Sequence, residues 1–555
     1  MTNRISTEFK TEFSPWSDTI RLQKYAHELE GGVKETWGQL AHRVPTHVFA
    51  AVNAEQGLVD AVQEAIYQRK FIPGGRYLYA TGKPLHQTQN CLLCKAEDSR
   101  EGWAQHLHNH AMGLMTGAGM GTVYSDVREE GALIKGMGGI ATGPLSLMQM
   151  TNEAGRGIQQ GGSRRAALWA GLHWWHPDVF KFIVMKDWPE HIKAAKAKDY
   201  NAYAPMDMTN ISVILDTEFF QAYDDPRHKR HKLAHDVYWA VIRNMLETGE
   251  PGFSVDCGVN EGENLRNACT EITSYDDSDI CNIGSINMAR VTSLDEMAHL
   301  VEIGTAFLLS GTEYSHVPYD KVGEIRVKNR RLGLGLMGIH EWLLLRGKKY
   351  GPDPELHNYL AMYTYSTTYA KNYAEKWNLS VPVKTRAIAP TGSIGILAET
   401  TTGIEPVFCV AYKRRYLDGI TWKYQYVVDP TAQSLIDRGV KPHAIEDAYD
   451  LAHDVERRVE FQAWVQQFVD HGISSTINLP EWGSELNNES KVEEFGNMLM
   501  KYLPKVRGIT VYPDGARSGQ PLNPVKYATA VQHWGQVFYE QADICEITSG
   551  GTCGS

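Results

Sequence analysis

Residues 267–287 read N-A-C-T-E-I-T-S-Y-D-D-S-D-I-C-N-I-G-S-I-N, bringing two cysteines, a glutamate and several carboxamides into one short run. Asn267, Cys269 and Glu271 alternate, so an extended backbone would turn all three side chains to one side. A carboxylate next to a thiol raises the thiol pKa, which makes this trio a poor thiolate nucleophile. It suits a thiol that carries a hydrogen atom, with Glu271 moving a proton and Asn267 holding a hydroxyl through its amide. An isolated cysteine is more often an ordinary buried residue, and it is the combination that marks this run as chemical.

Other candidate sites divide into weak and strong. Cys91 and Cys94 form a C-x-x-C, but a zinc site needs a second pair or histidines, and a thioredoxin-like motif needs a small strand-to-helix setting. Neither context is present. His106 and His110 share a helix face at i, i+4; without the glutamate of H-E-x-x-H or a third ligand they read as surface histidines, and no metal is expected. Gly117, Gly119 and Gly121 lack the Gly-Lys-Ser/Thr of a phosphate loop. Gly333, Gly335 and Gly338 spell G-x-G-x-x-G, yet the stretch before them is charged throughout rather than an apolar strand, so a dinucleotide site is rejected and a helix-packing role is expected. The stronger anion site is R-A-I-A-P-T-G-S-I-G-I, an apolar strand broken at Pro390 before a helix. Backbone N–H groups there, with the Thr391 and Ser393 hydroxyls, form a phosphate cradle that needs no lysine.

The elements that must position these groups follow from patterning. A small helical region covers about residues 16–68, and Pro73, Gly74 and Gly75 then break the helical period ahead of short strands. Asp98 and Ser99 start a helix as N-caps do. A Gly-rich basic loop spans Gly155 to Leu168, a Lys-rich stretch between Asp187 and Asp207 reads as an exposed helix, and T-N-I-S-V-I-L-D runs as a buried strand into another helix. After T-T-G-I-E-P the chain reads as helical until G-I-T-V-Y-P, and the Gly- and Ser-rich stretch around Cys545 and Cys553 reads as a flexible dithiol tail.

At 555 residues, 43% hydrophobic and 22% charged, the composition is that of a soluble enzyme with one large core plus appendages, or several domains. No apolar run is long enough to span a bilayer, and a net charge of -11 argues against a nucleic-acid-polymer face. A start without an apolar signal core and dispersed cysteines fit a reducing cytoplasm.

The pattern N-x-C-x-E followed by C-N-I-G-S-I-N resembles the finger loop of ribonucleotide reductases. P-G-G-R at the start of the barrel, H-P-D-V-x-x-F-I, and P-T-G-S-I followed by T-T-G-I-E-P are also similar to that family, so the resemblance extends over about residues 71–524. It implies an α/β fold: a ten-stranded barrel of two five-stranded parallel halves lying antiparallel, threaded by the finger loop. The domains would be a helical region 1–68, the barrel 69–525 and a flexible redox tail 526–555.

By the same resemblance Cys269 carries a thiyl radical that takes the ribose 3′ hydrogen, Glu271 removes the 3′-hydroxyl proton and Asn267 holds that hydroxyl. Cys91 and Cys281 form the redox pair, leaving Cys94 a buried bystander, and Cys545 and Cys553 re-reduce that pair. Asn90, Pro390, Thr391, Gly392, Ser393 and Ile394 bind substrate. Asp98, Ser99, Arg128, Gln160 and Arg164 bind a nucleotide effector, a deoxynucleoside triphosphate or ATP. The expected partners are a ribonucleotide, that effector, a thioredoxin- or glutaredoxin-like reductant and a second copy of the chain.

Relatives that borrow a radical from a metal-containing subunit carry a Tyr-Tyr relay, and Val511 stands here before Tyr512; the C-terminal glycyl-radical site of the anaerobic class is missing too. I-T-V-Y-P-D-G-A-R-S-G-Q-P-L is similar instead to the adenosylcobalamin-dependent branch, and that cofactor is expected. The alternatives are a partner-dependent catalytic subunit, a non-catalytic nucleotide sensor of this fold, and a zinc-binding interaction protein.

Overall fold

The structure, a computed structural model, describes residues 12–136, 138–158, 166–198, 202–258, 261–418, 421–516 and 522–541. After a short strand β1 (Phe71–Pro73), the strands β2 (Cys91–Lys95), β3 (Gly119–Val123), β4 (Leu168–His173), β5 (Thr209–Asp216) and β6 (Gly252–Asp256) run in order as a parallel half-sheet. Helices occupy the crossovers, as parallel pairing requires. β7 (Leu265–Arg266) and β8 (Thr273–Ser274) form a small antiparallel hairpin. β9 (Asp279–Asn287) then pairs in parallel with β10 (Leu332–Met337).

Two strands, β11 (Ala411–Asp418) and β12 (Thr421–Val428), lie off this path; β13 (Thr476–Leu479) and β14 (Gly508–Pro513) return to it as a parallel pair. Parallel bridges from Leu334 to Arg386 and from Ile388 to Ile473 fill the gap between β10 and the run into β13. The two parallel halves meet antiparallel at both seams, β2 against β9 and β6 against β14. The chain is therefore a closed ten-stranded α/β barrel.

Side-chain alternation along the strands separates interior from exterior. Cys91 and Leu93 of β2 join Val123, Trp169, Ile214 and Cys281 in one buried cluster at the centre. Leu92 and Cys94 face the other way, packing with Met120, Leu168 and Leu114 beneath the helix Arg100–Thr116. A spacing of three residues sends Cys91 and Cys94 to opposite faces of a strand, so this C-x-x-C cannot act as one site.

The helix Arg100–Thr116 is capped by Ser99, whose hydroxyl accepts from Gly102 N, and it ends at Gly117 with φ +106°. The helices Trp37–Ala50 and Gln56–Tyr67 share one core with Leu308, Leu334 and Trp342 of the second half. The Lys-rich stretch is the helix Glu190–Lys198, and β5 leads directly into the helix Thr217–Asp224. Among the described residues, no helix is long and apolar enough to cross a membrane.

The hairpin of β7 and β8 lies inside the barrel. A Cβ on Gly121 of β3 would stand 2.0 Å from the Arg266 carbonyl oxygen, and Gly472 N donates to the Glu271 carbonyl at 2.7 Å.

Three expectations are corrected. Gly333 and Gly335 lie within β10 rather than on a packing helix: Cβ atoms there would come 2.9 Å from the Asn282 carbonyl oxygen and 2.7 Å from that of Ala387. Gly338, at φ +74°, then turns the chain into the helix Ile339–Leu345, and the charged stretch before β10 is itself the helix Asp320–Asn329. The segment read as helical after T-T-G-I-E-P contains the β11–β12 hairpin; its alternation K-R-R-Y-L-D-G-I-T-W-K-Y-Q-Y around Asp418-Gly419 is a hairpin signature. The tail from residue 526 begins as structure, the helix Tyr527–Gln532 and β16 (Val537–Gln541); with β15 (Leu522–Pro524), just before it, β16 flanks that hairpin in a four-stranded antiparallel sheet. The segment at 537–541, rich in β-branched and aromatic residues, finds an open strand edge on β12 and pairs with it.

Gly121→Ala should lower the melting temperature measurably in differential scanning calorimetry, by a destabilisation of about 1–3 kcal/mol, because the added methyl must displace the hairpin backbone.

Candidate active site

The site is built from the β2–β9 seam and the tip of the central hairpin. Cys91 and Cys281 are direct partners across the antiparallel pair, so their side chains leave the sheet on one face with Cα atoms about 4.5–5.5 Å apart. That separation lies within the range a disulfide spans. Both thiols are free in this structure and almost wholly buried. Burial holds both well above the usual thiol pKa, reinforced by Glu271 at Cys91 and by Asp279 and then Glu271 at Cys281. They are thiols, not thiolates.

Residues 267–272 do not run extended. They form the turn joining β7 to β8: Thr270 N donates to the Asn267 carbonyl at 3.0 Å, and Thr270 itself has φ +67°. The same three chemical groups are still brought together, because the turn folds Glu271 back beside Asn267. Ile272 N donates to Asn267 Oδ1 at 3.0 Å, fixing the amide. Glu271 Oε1 accepts from Cys91 Sγ at 3.9 Å, while its Oε2 is buried without a partner.

Burial raises the Glu271 carboxyl to about 7, with the Asn267 amide and the Cys91 thiol pulling the other way. A carboxyl poised there can give or take a proton near neutrality. Cys269 sits exposed at the tip.

Cys269 opens onto a cavity of about 510 Å³ whose walls include Trp169, Pro390, Glu405, Phe408, Val511 and Tyr512. A second cavity of about 370 Å³ shares Phe408, Asn478 and Tyr512 with the first and adds Tyr449 and His453. Val511 is buried in β14 beside Tyr512, so the position read as lacking a redox-active phenol faces the thiol-bearing cavity.

The Pro390 turn is reached by isolated bridges at Arg386 and Ile388 rather than by a regular strand. Thr391 takes a left-handed conformation, φ +49°, and the helix Gly392–Ala398 follows. The Thr391 hydroxyl accepts from Gly403 N at 2.9 Å, Gly392 faces open space and Ile394 is buried. Asn90, next to Cys91, accepts from Gly119 N through its carbonyl and keeps a buried, unpartnered Oδ1.

Sequence reasoning missed the N-terminal contribution here. Tyr25 OH and Ser393 Oγ share a hydrogen bond of 2.6 Å, Ser17 Oγ donates to the Ile396 carbonyl at 2.8 Å, and Ser14 N donates to Glu399 Oε1 at 2.6 Å. A one-turn π-helix, Arg21–Tyr25, delivers the tyrosine. Nothing in an amphipathic N-terminal stretch marks such long-range partners.

Of the predicted effector residues, Arg128 Nε donates to Asp98 Oδ2 at 2.7 Å, and Ser99 serves as the helix cap. Gln160, Arg164, Cys545 and Cys553 lie outside the described residues. His106 and His110 are not surface histidines. His106 Nε2 lies 3.2 Å from Thr151 Oγ1, His110 Nε2 lies 3.0 Å from Thr122 Oγ1, and burial lowers His110 to about 4. Their helix face is turned inward onto β3 and the helix Gly143–Gly157, whose hydroxyls satisfy the rings.

Comparison with known proteins fits this geometry. A family model described as ribonucleotide reductase, barrel domain, matches residues 89–227, 192–374 and 383–512. A vitamin B12-dependent ribonucleoside-diphosphate reductase of Mycobacterium tuberculosis (strain CDC 1551 / Oshkosh) is 25% identical, over 91% of this chain and 80% of its own length. A putative adenosylcobalamin-dependent ribonucleoside-triphosphate reductase of Mycobacterium phage D29 is 26% identical over 99% of both chains. The large subunit of a ribonucleoside-diphosphate reductase of Plasmodium falciparum (isolate FCR-3 / Gambia) is 25% identical over 60% of this chain and 46% of its own.

Glu271 is protonated in the fold and ionised in the unfolded chain between its ordinary value and about 7, so its contribution to stability is present at low pH and lost as pH rises through that window. Glu271→Gln should therefore melt above the native chain at pH 8, with the gap closing towards pH 5; parallel melting curves at every pH would contradict the assigned shift.

Proposed function

Because the chain belongs to the ribonucleotide reductase family, we propose that it is a catalytic subunit that reduces ribonucleoside di- or triphosphates to 2′-deoxyribonucleotides for DNA synthesis. The observation that carries this reading is the meeting of four groups: Cys91 opposite Cys281, Glu271 3.9 Å from Cys91, and Cys269 on the adjoining hairpin tip. Cys269, as a thiyl, takes the 3′ hydrogen of the ribose. Glu271 accepts the 3′-hydroxyl proton, and the Asn267 amide holds that oxygen. One proton of the Cys91–Cys281 pair converts the departing 2′-hydroxyl to water, the pair's second proton and two electrons go to the 2′ carbon as the pair closes to a disulfide, and Glu271 returns its proton to the 3′ oxygen. The hydrogen then returns from Cys269 to the 3′ carbon. Raised thiol pKa values suit this chemistry, since the pair must deliver protons as well as electrons.

Adenosylcobalamin, when bound, would supply the radical that oxidises Cys269. The residues present fit it. The exposed thiol lines one cavity, and a second cavity adjoins it across a common aromatic wall of Phe408 and Tyr512, which suits a nucleoside next to the edge of a planar macrocycle. The names of the relatives from Mycobacterium tuberculosis and phage D29 support the same cofactor.

The Pro390–Ile394 turn, with Asn90, takes the substrate, its open Gly392 letting a phosphate approach the backbone. Asp98, Ser99, Arg128, Gln160 and Arg164 form the effector region. The adjoining residues Leu133 and Ile140 are 77% and 65% exposed, which favours a second copy of the chain as their cover. Cys545 and Cys553 pass electrons from a thioredoxin- or glutaredoxin-like protein to the central pair, and a dithiol relay of this kind suits the cytoplasm.

The purified chain should reduce ribonucleotides with adenosylcobalamin, a small dithiol and an effector, and Cys269→Ser should abolish turnover while binding nucleotide as the native chain does. Activity that appears when a ferritin-like metal subunit is added, and not with the cobalamin, would assign the chain to the partner-dependent branch. Cys545→Ser should block turnover with a protein reductant yet spare one turnover of the pre-reduced enzyme; loss of that first turnover would overturn the tail's role.

A further inference from the structure

Below the hairpin lies a buried ionic cluster that the proposed chemistry does not use. Glu263, just before β7, accepts from Arg331 Nη1 at 2.9 Å through one oxygen. Its other oxygen is bonded by Lys384 Nζ and by Thr273 Oγ1, the latter at 2.8 Å. Lys384 Nζ also donates to Thr273 Oγ1 at 3.1 Å. The next residue is held in the same way, with Ser274 Oγ donating to Asp279 Oδ2 at 2.7 Å and Arg331 Nε donating to that oxygen at 2.6 Å. His471 Nδ1 accepts from Thr273 N at 3.1 Å. Glu263, Thr273, Asp279, Arg331 and Lys384 are all under 9% exposed.

Two carboxylates and two cations cancel, and apolar side chains of equal volume would serve stability as well or better. What the ionic set adds is direction. Lys384 starts the segment that leads through Arg386 and Ile388 to the Pro390 turn, whereas Thr273 stands two residues beyond Glu271.

We propose that Thr273 is a positioning residue for the loop carrying Cys269, its hydroxyl tying the hairpin to the Glu263–Lys384 pair and so fixing the reacting thiol relative to the substrate turn. This rests on the reading of Cys269 as the reacting thiol. A displacement of about 1 Å at a reacting group costs on the order of a hundredfold in rate, with little effect on binding made elsewhere.

The test compares Thr273→Val, which removes the hydroxyl at nearly constant volume and leaves the ion pair intact, with Thr273→Ser, which keeps the hydroxyl. Both are measured in the full chain, with the radical source that sustains the native enzyme. In Thr273→Val, kcat should fall at least tenfold with the nucleotide Kd within twofold of native, and Thr273→Ser should recover kcat to within threefold. A kcat within twofold of native in Thr273→Val, or a Thr273→Ser variant as slow as Thr273→Val, overturns the proposal. If Thr273→Val does not fold, the double variant Glu263→Leu/Lys384→Met removes the anchor while Arg331 keeps Asp279, and it should show the same split between kcat and Kd; native kcat in the double variant overturns the proposal. Turnover surviving in Cys269→Ser would instead overturn the reading of the thiol, so the two failures are distinct.

Discussion

The antiparallel pairing of β2 with β9 is the contact on which the rest of the molecule depends. It closes the barrel on one side, and the same three residue pairs set Cys91 opposite Cys281. Directly opposed residues of an antiparallel pair send their side chains to the same face, close enough to touch. A slip of one residue in register would turn Cys281 outward, leaving one thiol inside and one outside. Barrel closure and dithiol geometry are thus a single structural event.

Low polarity at the barrel centre does the remaining tuning. Glu271, Cys91 and Cys281 are shielded together, and in each case burial is the first cause of the raised pKa. The thiols stay protonated and the carboxyl stays near its switching point, so the resting site carries little charge. The thiol at the hairpin tip is exposed and lines the cavity of about 510 Å³. The hairpin turn therefore carries both an exposed thiol and a shielded carboxyl within three residues of one another.

Much of this was legible in the sequence, and the parts that were not share a cause. The trio at Asn267, Cys269 and Glu271 was found from residue types, although the backbone that unites it is a turn and not an extended run. Gly333 and Gly335 signalled close approach; whether a helix or a strand approaches depends on the partner, which local sequence does not contain. His106 and His110 looked polar and exposed because a helical wheel shows no hydroxyls waiting on Thr122 and Thr151. Tyr25 and Lys384 were invisible for the same reason: each acts through a residue more than a hundred positions away.

The bonds from Ser14, Ser17 and Tyr25 to the helix Gly392–Ala398 and its end join residues 368 to 385 positions apart. At about 5–20 residues per second of synthesis, the N-terminal segment waits roughly 20 to 80 s for its partner to leave the ribosome. For most of that interval the helices Trp37–Ala50 and Gln56–Tyr67 also lack Leu308, Leu334 and Trp342, against which their apolar faces rest in the finished core. The N-terminal helices are thus among the last to be locked, and a nascent chain halted before residue 308 would display their apolar faces for chaperones to bind.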